Sequence, residues 1–285
     1  MLSFLRLIRW KNLLIILFTQ GLIFIFLREG DCIQFDGWRK FLLLTLSTNL
    51  IAAAGYIIND YYDIKIDVIN KPDSIIVNRF IASRKAILLH TVLNVAGVAI
   101  GFYLNIWVGV IDIIVSFLLW QYSVTYKYLL LIGNITIAAL MAVSLVVTWI
   151  VFPGVFPKWM AAYAGFAFVT GLIREIIKDV EDMKGDEAYE CKTVPIVFGI
   201  HKTKVLLYRL LFILGALLVS AVGYLVYTSR FVLPLYLTSI VGVALVIYYI
   251  ILKRADTKSD FTKLSGGMKL IMLLGILAMA LRCVE

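Results

Sequence analysis

Residues 41–67 read FLLLTLSTNLIAAAGYIINDYYDIKID, an apolar run that ends in three aspartates, Asp60, Asp63 and Asp67. The apolar part is long enough to cross a membrane as a helix, which takes about 20 residues. The whole chain has the same character: of its 285 residues, 62% are hydrophobic and 16% are charged. Because soluble domains are only about 45–50% apolar and about 25% charged, the composition excludes an ordinary soluble enzyme.

Nine hydrophobic stretches are long enough to cross a membrane, and they predict an all-α integral membrane protein with about nine transmembrane helices. They lie at 13–27, 41–58, 86–104, 107–126, 135–152, 159–177, 205–227, 231–252 and 268–284. Nine spans leave no room for a separate soluble domain. We therefore expect a single polytopic membrane domain over residues 1–285.

The positive charges are concentrated on one side of this arrangement. Most lysines and arginines fall in the N-terminus and in the connections near 59–85, 127–134, 174–204 and 253–267. Cytoplasmic loops collect lysine and arginine, so we expect these segments on the cytoplasmic face of an inner or plasma membrane. The net charge of +9 then reflects orientation in the membrane, and no nucleic-acid partner is expected.

The acidic residues follow a different pattern. Eleven of the 18 lie within 60–73 and 175–190. Each segment contains the spacing D-x2-D-x3-D, and each follows an apolar span, the second and the sixth. At helical spacing the three aspartates of a motif share one face. Asn49, about three turns before Asp60, is expected on the same face within the span.

Two stacks of like charge destabilise their helices unless a cation compensates them. Carboxylates with an amide oxygen suit Mg²⁺, which usually binds through one or two protein carboxylates plus a substrate phosphate. We therefore predict a magnesium and diphosphate site. The predicted catalytic metal ligands are Asp60, Asp63, Asp67, Asp179, Asp182 and Asp186. The predicted substrate-binding side chains are Asn49, Asn59, Lys71, Lys127, Arg174 and Lys178.

Together these residues resemble the UbiA-type intramembrane prenyltransferases. The resemblance rests on Asn59 to Pro72 with the first motif, on the second motif, on the opening Arg6 to Asn12, and on the pair Gly133-Asn134. It implies helices around a central cavity, with the two motifs at its cytoplasmic side. It also implies that the motifs bind Mg²⁺ and the diphosphate of a polyprenyl donor, whose allylic carbon–oxygen bond ionises before an acceptor attacks the carbocation.

Within the superfamily, the run 171–186 is similar to the digeranylgeranylglyceryl phosphate synthases. That similarity implies geranylgeranyl transfer to the free hydroxyl of a prenylglycerol phosphate, which forms an ether lipid. One departure affects the acceptor: Ser74 and Ile75 stand where the family usually has Arg-Pro. We expect Arg79 to replace the missing cation, and Arg84 and Lys85 are further candidates for an acceptor-phosphate site.

Two alternatives remain open. The first is prenylation of an aromatic quinone precursor, which would use the same donor and the same membrane-lipid environment. The second is a divalent-cation transporter. Transporters place such carboxylates near the membrane midplane, whereas these acids lie at the ends of the spans, so the sequence argues against transport.

Overall fold

The computed structural model describes residues 2–27, 37–154 and 157–284, and almost all of them are helical. The α-helices of this part of the chain are, in order, α1 (Leu2–Leu7), α2 (Trp10–Phe26), α3 (Trp38–Tyr62), α4 (Ile64–Asn70), α5 (Ser83–Leu104), α6 (Ile106–Val124), α7 (Ile132–Val151), α8 (Pro157–Ala188), α9 (Val194–Tyr227), α10 (Val232–Tyr236), α11 (Val243–Arg254) and α12 (Lys258–Leu277). Short 3-10 turns lie at Pro72–Ser74, Tyr126–Tyr128 and Ala278–Val284. The predicted all-α class is confirmed.

Within the described residues, eight helical segments are long and apolar enough to cross a membrane, judged by length and composition. They are Trp38–Tyr62, Ser83–Leu104, Ile106–Val124, Ile132–Val151, Lys158–Ala188, Val194–Tyr227, Val232–Arg254 and Lys258–Arg282. Helix α2 is also apolar but has 17 residues, close to the shortest length that spans a bilayer. Each of the nine predicted stretches therefore overlaps an observed helix.

Apolar side chains hold the helices together in two main groups. One group joins α8, α9, α11 and α12 around Ile173, Ile176 and Leu207, all with 0% exposure. The other joins α2, α3 and α7 and includes Phe24, whose ring stacks on Phe41 at a centroid distance of 4.7 Å. Because lipid is as apolar as these side chains, such close packing is a main source of helix association in a membrane. The two groups fix α3, α7 and α8 relative to one another.

Two spans depart from a regular α-helix. Helix α9 breaks at Gly199, where φ is +79°, a backbone conformation that glycine adopts without a steric penalty. The span Val232–Arg254 contains a π-helical turn at Leu237–Gly242 between α10 and α11. Both irregular spans lie on the side of the bundle away from the cavity described below.

Candidate active site

A cavity of about 1020 Å³ opens inside the bundle. Its walls come from α1 to α4, α6 to α8 and α12, together with the connections that follow α4 and α6. All the predicted site residues except Asn49 and Arg79 line it. Both Asp motifs stand at one end, which we call the motif end. Further in, the walls are mainly apolar, with Leu140, Phe166 and Met272 among them. Ligand pockets are usually about 300–1,000 Å³, so this one is large.

The first Asp motif lies at a break between two helices. Helix α3 ends at Tyr62 and α4 begins at Ile64, with Asp63 at the junction. The backbone N–H of Asp63 still donates to the Asn59 carbonyl at 2.9 Å, and that of Asp67 donates to the Asp63 carbonyl at 2.8 Å. The helix predicted from the spacing therefore changes course at the middle aspartate of the motif.

Cationic side chains from distant segments hold the first two aspartates. Arg9 Nη2 donates to Asp60 Oδ1 at 2.8 Å. Lys127, which follows α6 and has a side chain only 9% exposed, forms an ion pair with Asp63. The side-chain amide of Asn59 donates to the other oxygen of the Asp63 carboxylate. Asp63 therefore has both a cation and an amide as partners.

Arg9 is a site residue that the sequence reasoning did not assign. It lies at the turn between α1 and α2 with φ at +50°. Its guanidinium also lies over the Tyr56 ring, 4.9 Å from the centroid, a distance at which a cation is attracted to the aromatic face. The resemblance drew attention to the segment from Arg6 to Asn12 but gave no residue in it a role.

The second Asp motif lies on an unbroken helix. Helix α8 runs from Pro157 to Ala188 and carries both the sixth span and the motif. Asp179 accepts a hydrogen bond from Asn134 Nδ2 at 2.8 Å. Asp182 faces Lys71, whose Nζ lies 2.7 Å from both of its carboxylate oxygens. Lys71 follows the first motif in sequence, so this ion pair connects the two motifs.

A second contact between the motifs is made through Gly185. Its backbone N–H donates to Asn70 Oδ1 at 2.8 Å. A Cβ atom at this position would lie 2.6 Å from Asn70 Cγ, closer than real Cβ contacts. Lys258 Nζ, at the start of α12, donates to the Asn70 carbonyl at 3.2 Å. The end of α4 is therefore held against α8 because residue 185 has no side chain.

The electrostatics of the motif end favour a bound cation. Burial, together with the carboxylates of Asp63 and Asp60, raises the pKa of Asp67 to about 6, because each of these effects disfavours a further negative charge. Within the described ranges, no three histidine, cysteine, aspartate or glutamate side chains are arranged to hold a metal ion by themselves. Mg²⁺ usually binds through one or two protein carboxylates, with substrate phosphate and water as its other ligands.

A group of charged side chains that we call the inner basic cluster lies deeper on the same wall. It consists of Arg174 and Lys178 on α8 and Lys269 on α12, all of which line the cavity. Glu175, only 5% exposed, pairs with Arg174 at 2.7 Å and with Lys178 at 3.2 Å. Lys269 was not identified from the sequence.

Comparison with known proteins identifies the family. The model of the UbiA prenyltransferase family matches residues 17–274. The chain belongs to the UbiA prenyltransferase family. Digeranylgeranylglyceryl phosphate synthase of Pyrococcus furiosus is 32% identical over 250 residues, covering 85% of this chain and 84% of the relative. The protein of the same name from Methanosphaera stadtmanae is 28% identical over 242 residues, covering 85% and 87%.

Solved structures of UbiA proteins share the fold. A structure of digeranylgeranylglyceryl phosphate synthase superposes with a TM-score of 0.75 at 25% identity and covers 99% of this chain and 98% of its own. A UbiA homolog from Archaeoglobus fulgidus bound to GPP and Mg²⁺ has a TM-score of 0.69 at 18% identity, covering 97% and 99%. The predicted family, the class of enzyme and the multi-pass membrane architecture are thus confirmed.

Two of the site residues predicted from the sequence, Asn49 and Arg79, lie outside the cavity. Asn49 donates through Nδ2 to the Thr45 carbonyl of its own helix at 2.8 Å, and it does not line the cavity. Arg79 is exposed on the connection before α5, with its guanidinium 5.5 Å from the centroid of the neighbouring Phe80 ring. Arg84 and Lys85, at the exposed start of α5, do not line the cavity either.

Proposed function

We propose that this UbiA-family enzyme transfers a geranylgeranyl group from its diphosphate to the free hydroxyl of a prenylglycerol phosphate, with Mg²⁺ as cofactor. The observation that carries the proposal is a single cavity with two facing Asp motifs at one end and mainly apolar walls beyond them. This layout matches a substrate with a diphosphate head and a hydrocarbon tail. The names of the relatives from Pyrococcus furiosus and Methanosphaera stadtmanae support the choice of acceptor.

The diphosphate of the donor lies at the motif end in this proposal. The residues that would hold Mg²⁺ there are Asp60, Asp63, Asp67, Asp179, Asp182 and Asp186. Bound Mg²⁺ stabilises the negative charge that develops on the departing diphosphate. Lys71 and Lys127 already lie against these carboxylates, so their ammonium groups are in place to contact phosphate oxygens directly.

The apolar part of the cavity holds the prenyl chain and protects the reacting carbon. As the carbon–oxygen bond to diphosphate breaks, the allylic carbon becomes positively charged. Tyr122, Tyr163 and Phe166 line the cavity and supply aromatic faces that attract such a charge. Exclusion of water keeps the carbocation from hydrolysis. The acceptor hydroxyl oxygen then bonds to this carbon and gives its proton to the released diphosphate, so that an ether and diphosphate result.

The orientation of the enzyme is part of the proposal. Both Asp motifs and the connections rich in lysine and arginine lie toward the same side of the predicted topology. The positive-inside rule supports placing that side, and the N-terminus, in the cytoplasm of an inner or plasma membrane. Donor and acceptor would then enter with their charged heads at the cytoplasmic surface.

Product identification by mass spectrometry tests this function. Purified protein in detergent is given Mg²⁺, geranylgeranyl diphosphate and geranylgeranylglyceryl phosphate, and a parallel reaction offers aromatic quinone precursors. We expect a doubly prenylated ether phosphate from the first reaction only. Prenylation of a ring without ether formation would refute the proposed acceptor. Cation flux into proteoliposomes without any prenyl donor would favour the transporter alternative.

A further inference from the structure

The charge along one wall of the cavity reverses within helix α8. Arg174, Lys178, Asp182 and Asp186 follow one another at four-residue spacing, and all four line the cavity. Residues at this spacing lie one above the other on a helix, about 6 Å apart along its axis. This row of side chains is therefore acidic at the motif end and basic one to two turns further in, where Glu175 and Asp179 line the cavity beside it.

Lys269 brings a third cation to the basic part from another helix. Helix α12 begins at Lys258, so Lys269 lies about three turns into the helix, at the start of the apolar stretch 268–284. It lines the cavity but forms no hydrogen bond or ion pair with any residue that the structure describes. The positive charges of Arg174, Lys178 and Arg9 and the carboxylate of Glu175 are near enough to act on its ammonium. A charged residue inside a span is costly and usually has a function.

Among the described residues, the inner basic cluster has three cationic groups and one carboxylate in direct ion pairs with them. Glu175 is the carboxylate that pairs with it, and that group is shared between Arg174 and Lys178. Nε of Arg174 is buried without a hydrogen-bond partner in the described part of the chain. Buried donors and charges of this kind require a partner. An anion entering the cavity would supply one.

We propose that Arg174, Lys178 and Lys269 form a subsite for the phosphate of the acceptor, separate from the donor's diphosphate site. This inference rests on the proposed function. In a prenylglycerol phosphate, the reacting hydroxyl and the phosphate are attached to neighbouring glycerol carbons. The phosphate must therefore lie near the reacting carbon of the donor but beside its diphosphate. The inner basic cluster, which begins one turn from Asp182, has this position.

The proposal also names cations that can bind the acceptor phosphate in place of Arg79. Ser74 and Ile75 replace the Arg-Pro expected after the first motif, and Arg79 is exposed outside the cavity. The inner basic cluster supplies cations from α8 and α12 instead. Lys269 is the decisive residue, because Arg174 and Lys178 each form a direct ion pair with Glu175, whereas Lys269 forms none with the described residues.

The test compares two acceptors that differ only in the phosphate. Lys269→Met is assayed with geranylgeranylglyceryl phosphate and, separately, with geranylgeranylglycerol. The matched control is Lys263→Met, because Lys263 is an exposed lysine on the same helix. We expect Lys269→Met to raise the KM for the phosphorylated acceptor about 10- to 100-fold, as for loss of a charged hydrogen bond. The KM for the donor and the rate with geranylgeranylglycerol should stay within about twofold of wild type. Lys269→Arg should restore most of the affinity.

Three results would overturn the subsite. They are an unchanged acceptor KM in Lys269→Met, an equal loss with both acceptors, or a rise confined to the KM of the donor. The last would assign Lys269 to the diphosphate site. Turnover by the wild type with aromatic acceptors alone would overturn the proposed function and the subsite together. Normal wild-type ether synthesis that Lys269→Met leaves unaffected would overturn the subsite only.

Discussion

The two Asp motifs have the same spacing but lie on different backbones. In the first, the chain leaves α3 at Tyr62 and turns into α4 after Asp63. In the second, Asp179, Asp182 and Asp186 all belong to the continuous helix α8. Equal spacing in sequence therefore produces one array of carboxylates divided by a bend and one on a continuous helix. After the bend, Lys71 reaches Asp182 of the second motif.

The hydrogen-bond and ion-pair partners of the aspartates also differ between the two motifs. Asp60 and Asp63 have cationic partners from outside their own helix, Arg9 and Lys127. Asp179 has a neutral amide partner, Asn134. The cation that Asp182 contacts comes from the first motif's own connection, because Lys71 follows α4. The bend thus makes the first motif a source of contacts for the second.

The largest effect is expected when either motif loses a central carboxylate. Asp63→Asn and Asp182→Asn should each reduce turnover about 100-fold or more, since each removes a carboxylate proposed to hold the Mg²⁺ that stabilises the leaving diphosphate. The protein should still insert and remain folded, because the amide has the same shape as the carboxylate. Turnover and the elution volume in size-exclusion chromatography check both parts.

Asp256→Asn is the control for these variants, since the Asp256 side chain is 82% exposed and lies outside the cavity. It should retain wild-type turnover. Normal turnover in both Asp63→Asn and Asp182→Asn would refute the metal assignment. Loss in only one of them would mean that the two motifs do not share a single metal and diphosphate site.

A smaller and unequal effect is expected for the two lysines. Lys127→Met leaves the Asp63 carboxylate without its cation. Because the Lys127 side chain is only 9% exposed, little solvent can replace it, and turnover should fall about 10- to 100-fold. Lys71→Met removes a pair whose lysine is 38% exposed, and solvent screening should limit the loss to about fivefold. Steady-state kinetics at saturating Mg²⁺ measures both. A larger loss in Lys71→Met than in Lys127→Met would mean that the ion pair between the two motifs matters more for turnover than the burial of the lysine.

An effect as small as that of Lys71→Met is expected at the contact between Gly185 and Asn70. Gly185→Ala introduces a Cβ atom against the Asn70 side chain, and the displacement of α4 should lower turnover roughly fivefold, as for moderate overpacking. Gly165→Ala is the matched control on the same helix, because nothing lies within 4 Å of a Cβ atom there. It should not change turnover.

A double-mutant cycle sharpens this prediction. Asn70→Ala removes the side chain that the new methyl group would meet. If the contact acts as described, Gly185→Ala should cause little additional loss in the Asn70→Ala background, because interacting residues are not additive. Fully additive losses would show that Gly185 acts through something other than Asn70.

The sequence predicted most of the site because its chemistry is local in the chain. The spacing of Asp60, Asp63 and Asp67 is readable without a structure, and so is that of Asp179, Asp182 and Asp186. Lys71 follows its motif closely, and Lys127 ends a span. Apolar length alone was enough to locate the spans, since about 20 residues are needed to cross a bilayer.

The rest depends on contacts between distant parts of the chain. Arg9 reaches Asp60 across 51 residues, and Asn70 reaches Gly185 across 115. Lys269 has no motif around it, and only the packing of α12 beside α8 brings it to the cavity. The bend at Asp63 was likewise not visible in the spacing, which predicts one continuous face. Asn49 shows the limit of helical periodicity, because its amide bonds within its own helix instead of facing the cavity.

Binding of the donor tests most directly the central claim that the two motifs form one site. Isothermal titration calorimetry with geranylgeranyl diphosphate and Mg²⁺, without acceptor, compares the wild type with Asp63→Asn, Asp182→Asn and the double variant. We predict that each single variant loses Mg²⁺-dependent binding and that the double variant loses little more, as for residues acting in one unit. Independent, additive losses, or Mg²⁺-dependent binding that survives in either single variant, would contradict the account.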